Sequence, residues 1–202
     1  HLILVDQAES PLYDLQQEFI QNGIKNFSAI LANLRDAHRM ETIFYKYKPQ
    51  RIFHAAAYKH VPLMEDNPYE AIKVNVFGTR ILADLAIAYQ VEKFVMISSD
   101  KAVNPTNVMG ATKRAAEIYI SSLFNTGKTK FITTRFGNVL GSNGSVIPLF
   151  KKQIAVGGPL TLTHKDITRY FMTIPEACGL VLEAGTMGEG GEIFIFDMGK
   201  SV

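Results

Sequence analysis

The sequence predicts an α/β fold built around a parallel β-sheet with helices on both faces. Short apolar runs rich in β-branched residues alternate along the chain with longer amphipathic stretches, which is the pattern of βαβ units. The apolar runs are also nearly continuous, without regular alternation of polar residues, as is typical of strands buried on both faces. We therefore expect a sheet enclosed between two layers of helices.

The first part of the chain predicts three strands and two helices. The apolar run at the start ends at an aspartate, and each later run is followed by polar or small residues that end a strand. In order, these elements are a strand at Leu2–Val5, a helix at Leu12–Gln21, a strand at Phe27–Leu31, a helix at Arg39–Lys48 and a strand at Arg51–Ala55.

A longer helix is predicted after this third strand. Asn67 has the residue type of an N-cap, with Pro68 at the first helical position and Glu70 at the third. Apolar residues three or four apart then continue along one helical face to about Ala88. Asn75, on this helix, is expected to hold backbone near a functional site through an ordered water.

The remaining elements continue the alternation of strands and helices. The last third of the chain is richer in glycine and less regular, which favours a small C-terminal lobe built on the edge of the sheet. The predicted elements are a strand at Lys93–Ser98, a helix at Met109–Phe124, a strand at Lys130–Arg135, a helix at Ile147–Ala155, a helix from Thr173 to about Met187 and a strand at Glu192–Asp197.

Composition excludes several classes of protein. The 202 residues include 21 Lys and Arg and 19 Asp and Glu, a net charge of +2, which gives no reason to expect a nucleic-acid partner. The single cysteine, Cys178, excludes an internal disulfide and predicts a reducing, cytoplasmic setting; within its predicted helix it is expected to face the core. No uncharged apolar run reaches the roughly 18 residues of a membrane span. The histidines have no spacing typical of a metal site.

Candidate functional residues follow the predicted strands, because ligands of open α/β sheets bind beyond the carboxyl ends of the strands. Asp6 has the chemistry to accept hydrogen bonds from a ribose diol, or to cap the next turn. His54 is expected to be a packed histidine, whereas the small Ala55 and Ala56 would let a flat ligand approach the backbone. The segment Ser99-Asp100-Lys101 is more informative, because it places a hydroxyl, a carboxylate and an amine together at one strand end.

Six segments, which occur in family order and cover nearly the whole chain, resemble the extended short-chain dehydrogenase/reductases. The most similar members are the CapD-like UDP-N-acetylglucosamine 4,6-dehydratases of polysaccharide biosynthesis, which implies a Rossmann-like sheet. The segments are His54–Glu65, Asn75–Thr79, Ser98–Ala102, Asn104–Lys113, Arg135–Gly141 and Thr168–Ile174.

The chain departs from the family pattern at two places. The glycine-rich dinucleotide turn, GxGxxG, occurs nowhere in the 202 residues. The first strand and turn of the fold are therefore expected to precede His1, which leaves a gap in the sheet or makes neighbouring strands close up. The family's Tyr-x-x-x-Lys pair reads Met109 to Lys113, and methionine cannot exchange a proton. This substitution resembles the membrane-anchored branch of the dehydratases.

The resemblance implies a reaction and a set of catalytic residues. It implies a UDP-N-acetylhexosamine substrate, UDP-N-acetylglucosamine foremost, whose dehydration yields a 4-keto-6-deoxy sugar. Asp100 is the candidate acid for water loss and Lys101 the candidate base at C5, while Ser99 would bond the C4 oxygen. Because Met109 cannot act, Ser99, Asp100 or a water takes the proton from that oxygen.

The resemblance also implies where cofactor and substrate bind. NAD or NADP would contact Asp6, Asn33 and Leu34 on its adenosine side, and Ala55, Ala56 and Lys113 nearer the nicotinamide, with Lys113 on the ribose. Asn138 and Arg169 would hold the substrate, although Arg169 has the alternative of a surface ion pair with Asp166 or Glu176. We expect residues 1–202 to form one truncated domain, with 1–140 mostly nucleotide-binding and 141–202 mostly substrate-binding.

Two other functions stay open at this stage. A nucleotide-sugar epimerase shares the fold and the oxidation at C4, but does not need an acid at C6. A catalytically silent module that binds a nucleotide sugar is favoured by Met109 and by the absent glycine turn. A homo-oligomer is expected, and the longer protein is expected at the cytoplasmic face of the inner membrane.

Overall fold

A computed structural model describes residues 1–142, 146–161, 164 and 168–201, in which eight strands and eight α-helices occur along the chain. The strands are β1 (Leu2–Asp6), β2 (Phe27–Leu31), β3 (Arg51–His54), β4 (Lys93–Ile97), β5 (Lys130–Arg135), β6 (Asn138–Val139), β7 (Phe171–Met172) and β8 (Ile193–Ile195). The helices are α1 (Glu9–Gln21), α2 (Ala37–Tyr47), α3 (Val61–Asp66), α4 (Pro68–Ala71), α5 (Thr79–Ala88), α6 (Val108–Ser122), α7 (Val146–Ala155) and α8 (Ile174–Met187).

All strand pairings in the described residues are parallel, which confirms the predicted α/β class. The main sheet has the order β3-β4-β5-β8, while β1 pairs only with β2 and β6 only with β7. No pairing joins β1 to β3 in the part of the chain that the structure describes. The sheet is therefore divided at the place where the missing glycine-rich unit predicts a gap.

Helices cover both faces of the main sheet, as the continuous apolar strands predict. On β4, Phe94 and Met96 are fully buried in the cluster that includes residues of α2, α5 and α6. Val95 points to the opposite face, where α8 contributes Ala177 and Val181. This alternation within one strand places β4 at the centre of the molecule and fixes the position of the loop that follows it.

The predicted helix after Asn67 exists, but it is built differently from the prediction. A separate helix, α3, precedes it, and the Asn67 amide donates to Leu63 O at 2.9 Å and makes no capping bond. The π-helical turn Ile72–Gly78 joins α4 to α5. Asn67 is therefore used to close α3, a helix that the spacing of apolar residues did not reveal.

The C-terminal part contributes to the main sheet as well as to a smaller one. Helix α8 begins at the capping box of Thr173 and Glu176, as predicted, and packs on β4 and β5. The prediction for Cys178 was wrong, because its side chain is exposed. Residues 177, 181 and 184 form the buried face of α8, and position 178 lies on another side of that helix. No helix among the described residues is long and apolar enough to span a membrane.

Candidate active site

The carboxyl ends of β3, β4 and β5 meet around a cavity of about 350 Å³, which we call the main cavity. Six of the residues singled out from the sequence line it. They are Ala55, Ser99, Lys101, Met109, Lys113 and Asn138. Residues from four different segments of the chain thus converge where strand topology predicts a ligand.

The turn after β4 holds its three polar side chains in contact with one another. Ser99 Oγ donates to Asp100 Oδ1 at 2.9 Å and accepts from Lys101 N at 3.2 Å, which starts the 3₁₀ turn Asp100–Ala102. Lys101 Nζ lies 3.0 Å from the same Asp100 Oδ1 and 3.3 Å from Asn138 Oδ1. A hydroxyl, a carboxylate and an amine are therefore linked by hydrogen bonds across which protons can move.

The Asp100 side chain lines a second cavity and not the main one. The second cavity has about 470 Å³ and is lined by Asp100, Arg135 and Tyr170, among others. Phe136 and Gly137 line both cavities. Asp100 therefore contacts the groups of the main cavity through Ser99 and Lys101, while 44% of its side chain stays exposed.

Helix α6 brings Met109 and Lys113 to the main cavity on one face. Asn107 caps this helix by accepting from Gly110 N at 2.8 Å, and Met109 is 3% exposed in a small apolar cluster with Met64. Lys113 is 6% exposed and donates from Nζ to Ile97 O at 2.9 Å. Burial lowers the pKa of Lys113 to about 8, so its ammonium group loses a proton more readily than that of an exposed lysine.

Gly110 allows helix α6 to approach the turn after β4 closely. The residue pattern did not predict this role for Gly110. A Cβ on Gly110 would lie 2.2 Å from Lys101 O, closer than any side chain tolerates. The glycine stands between Met109 and Lys113 in sequence, within the segment that resembles the dehydratases. Nothing in the local pattern shows that its missing Cβ faces the backbone of Lys101, because that contact depends on how α6 crosses the turn.

A network of buried hydrogen bonds connects His54, Thr79 and Asn75. Asn75 Oδ1 accepts from Tyr58 N at 2.8 Å, and its Nδ2 donates to Tyr58 O and to Thr112 Oγ1 at 3.0 Å. These bonds are direct, so the expected bridging water is not required. Thr79 donates its one hydroxyl proton to Asn75 O, and therefore accepts from His54 Nε2 at 2.8 Å.

His54 is packed and neutral, as predicted, and this gives an expected pH dependence of folding. Burial, with a smaller contribution from Lys113, lowers the pKa of His54 to about 3. Between pH 6.5 and 3 the unfolded chain binds a proton that the folded chain excludes, so stability falls as pH falls through this window. We expect His54 to account for a loss of about 4 kcal/mol across it. Denaturant unfolding at a series of pH values should show this slope, and His54→Gln should flatten it. Equal slopes in both proteins would contradict the assignment.

The residues expected on the adenosine side lie at the carboxyl ends of β1 and β2. Asp6 Oδ1 accepts from Ala8 N at 2.8 Å, so it caps the following turn, which was the alternative interpretation. Asn33 Oδ1 accepts from Arg35 N and Nε, and Leu34 packs on Gly78. Four of the residues expected to contact the cofactor line neither of the two cavities: Asp6, Asn33, Leu34 and Ala56. Their part in cofactor binding stays a prediction.

The structure does not bring Arg169 to the cavities. Arg169 Nη1 donates to Thr168 O at 3.0 Å, and the side chain lines neither cavity. Of its alternative partners, Glu176 bonds Thr173, and Asp166 lies outside the described residues. Substrate binding by Arg169 therefore stays a prediction without a described contact.

Lys59, to which the residue pattern assigned no role, lines the main cavity. Its Nζ donates to Ser142 Oγ at 3.4 Å, which links the loop after β3 to the loop after β6. Burial lowers the pKa of Lys59. With Lys101 and Lys113, it makes three lysines around one cavity, an arrangement suited to an anionic ligand.

Comparison with known proteins agrees with this geometry. Residues 1–202 match the family described as polysaccharide biosynthesis protein. The chain belongs to this family. It is 54% identical to the capsular polysaccharide biosynthesis protein CapD of Staphylococcus aureus over 100% of its own length, but spans 34% of that protein. It is 41% identical over 96% of its length to a UDP-N-acetylglucosamine 4,6-dehydratase (inverting) of Campylobacter jejuni, of which it spans 58%.

Solved structures show the same fold for this family member. The structure of Pen from Bacillus thuringiensis is 38% identical, with a TM-score of 0.92 over 99% of this chain and 61% of that one. DesIV, a dTDP-glucose 4,6-dehydratase from Streptomyces venezuelae solved with NAD and DAU bound, has a TM-score of 0.87 at 20% identity, over 99% of this chain and 67% of that one. At that identity DesIV shows the fold alone, and it confirms the Rossmann-like class.

Proposed function

We propose that this chain is the dehydratase domain of a longer protein that converts a UDP-N-acetylhexosamine, UDP-N-acetylglucosamine foremost, to a 4-keto-6-deoxy sugar. The observation that carries this proposal is the hydrogen-bonded set of Ser99, Asp100 and Lys101, in which Ser99 and Lys101 line the same cavity as Lys113. An acid and a base next to each other are what elimination of water across C5 and C6 requires. The 41% identity to a named dehydratase supports the same reaction.

The residues at the main cavity fit a nicotinamide cofactor, NAD or NADP. Lys113 offers a buried ammonium with three N–H donors, of which one goes to Ile97 O, and a ribose diol can accept the others. Ala55 and Ala57 line the cavity without long side chains, which lets a flat ring approach. When bound, the cofactor supplies the acceptor for the C4 hydride and the donor of the hydride to C6, so it is regenerated. DesIV, which has this fold, was solved with NAD bound.

The proton steps can be assigned to this chain's own side chains so that atoms balance. The C4 hydroxyl proton passes through Ser99 to Asp100, along the 2.9 Å bond between them, and Asp100 then gives it to the departing C6 hydroxyl, which leaves as water. In this assignment Lys101 enters the cycle as the neutral amine, takes the C5 proton and returns one proton to C5 once C6 has been reduced, so both Asp100 and Lys101 end in the forms in which they began. Met109, which is buried and apolar, takes no part in these transfers.

The product of the reaction tests the proposal. The full-length protein is incubated with UDP-N-acetylglucosamine and NAD, and the product is analysed by NMR. A dehydratase gives a C6 methyl group and a C4 ketone, whereas an epimerase retains the C6 oxygen. Binding of the UDP-sugar by calorimetry without turnover would support the silent module and contradict the proposal. Oligomerisation and membrane anchoring of the longer protein stay predictions.

A further inference from the structure

Glu117, one turn after Lys113 on α6, is a fully buried carboxylate to which the proposed reaction assigns no role. Its side chain is 0% exposed. Oε1 accepts from Ser98 Oγ at 2.6 Å and from Arg135 Nε at 2.8 Å. Oε2 accepts from Arg135 Nη2 at 2.5 Å and from Arg114 Nη1 at 3.1 Å. One carboxylate is thus held by four hydrogen bonds.

The partners of Glu117 lie at the strand ends that form the main cavity. Ser98 directly follows β4 and directly precedes Ser99, and Arg135 is the last residue of β5. Lys113 makes a second link between α6 and β4, since its Nζ donates to Ile97 O. Two successive turns of α6 are therefore hydrogen-bonded to the two residues that precede the Ser99–Lys101 turn. Lys113 bonds to Ile97, and Glu117 bonds to Ser98.

The site favours the charged form of Glu117 in spite of its burial. Burial raises the pKa of this carboxyl, but the hydrogen bonds from Arg135, Ser98 and Arg114 outweigh it, so the pKa of Glu117 lies below its usual value. The same contact raises the pKa of Arg135. A buried ion pair with this number of bonds is costly to break from one side only, because the remaining charge is left without a partner.

We propose that Glu117 is a positioning residue for the dehydration, whose carboxylate fixes the distance of α6 from the ends of β4 and β5 and, with it, the position of Lys113 at the main cavity. Its effect on turnover rests on the proposed function, whereas its effect on Lys113 does not. Glu117 acts through other residues, because it lines neither of the two cavities.

The charged groups around Lys113 determine in which direction loss of the Glu117 charge changes the pKa of Lys113. Across the main cavity lie the cations Lys59 and Lys101, and beyond Lys101 the carboxylate of Asp100. His54, the last residue of β3, is neutral, because burial lowers its pKa to about 3. Burial lowers the pKa of Lys113, and among these groups it is Glu117 whose charge raises that pKa. Without the Glu117 charge, Lys113 should lose its proton at lower pH.

Glu117→Gln in the full-length protein tests the proposal, because it keeps the shape and removes the charge. We expect the pKa of Lys113, measured by competitive acetylation and mass spectrometry, to fall, and the alkaline limb of NAD binding to move to lower pH with it. Turnover should fall about tenfold or more, with KM within about twofold of the wild-type value. Arg114→Gln is the matched control, since it removes a hydrogen bond to the same carboxylate and leaves the charge in place; both pH readouts should stay at wild-type values.

Glu117→Asp tests the geometry separately. It keeps the charge and withdraws the carboxylate by one methylene, so we expect lower kcat with the alkaline limb unmoved, and this variant carries the test if Glu117→Gln does not fold. An unchanged Lys113 pKa in folded Glu117→Gln, or wild-type kcat in Glu117→Asp, would overturn the proposal. If the wild-type protein does not dehydrate UDP-N-acetylglucosamine, the proposed function fails, but the Lys113 pKa still decides the role of Glu117.

Discussion

Asp100→Asn should lower dehydration by about 10³-fold, and Lys101→Ala should do the same at a different step. Asparagine keeps the size of Asp100 but can neither receive the C4 proton nor pass it to the leaving C6 hydroxyl. Alanine at 101 removes the base for C5. Because the two side chains share one 3.0 Å contact, each substitution also removes the ion-pair partner of the other.

Exchange of the C5 proton with solvent separates the two roles. In D₂O, wild-type enzyme should place deuterium at C5 of the product, measured by NMR. Lys101→Ala should abolish both exchange and product formation, whereas Asp100→Asn should block loss of water and leave any residual exchange dependent on Lys101. Product formation by either variant near the wild-type rate would contradict the assigned roles.

A matched control lies at the opposite end of the same sheet. Lys130, the first residue of β5, forms an ion pair with Glu189 at the amino end of the strands. This pair is exposed and lies at the other end of the strands from the Ser99–Lys101 turn. Lys130→Ala should therefore leave turnover within about twofold of wild type, since an exposed pair contributes little.

Gly110→Ala should lower turnover by about 10²-fold or more without abolishing the fold. The new Cβ would lie 2.2 Å from Lys101 O and 3.2 Å from Pro105 Cβ, so α6 and the turn after β4 must move apart. That movement separates Lys113 from Ser99 and Lys101, which the proposed reaction requires at one substrate. Alanine favours the helical backbone, and circular dichroism should still show a folded protein.

Gly179→Ala gives the control for the same chemical change in a helix. Gly179 lies within α8, and a Cβ there would have no atom within 4 Å among those of the described residues. We expect a gain in stability of about 0.5–1 kcal/mol and unchanged turnover. Wild-type turnover in Gly110→Ala would show that the approach of α6 to the turn is not needed for the reaction.

Several features of the site are local in the chain, and these were predicted correctly. Ser99, Asp100 and Lys101 follow a buried strand, so their place at the sheet edge comes from the strand pattern alone. Met109 and Lys113 are four residues apart on a helix, which puts both on one face wherever that helix lies. The division of the sheet likewise agrees with the absence of a glycine-rich turn.

Other features depend on contacts between distant segments, and the pattern of residues did not predict them. Helix α3 has six residues, too few for the spacing of its apolar residues to predict a helix. The Asn67 side chain donates to Leu63 O of α3 and does not cap the next helix, although a cap had been expected. Cys178 is exposed because α8 presents a narrow apolar face to the sheet. Arg169 has the right chemistry for a diphosphate, yet its described bond is to Thr168 O.

The residue order was thus enough to fix the α/β class, the strand end that carries Ser99, Asp100 and Lys101, and the helix face of Lys113, because each depends on periodicity over a few neighbouring residues. The crossing of α6 over β4 and β5 could not be obtained in this way. That crossing places Gly110 against Lys101 O and gives Glu117 its partners Ser98 and Arg135. Such contacts join residues 9 to 19 positions apart, and they form only when the packing of helix on sheet has set the distance between the two.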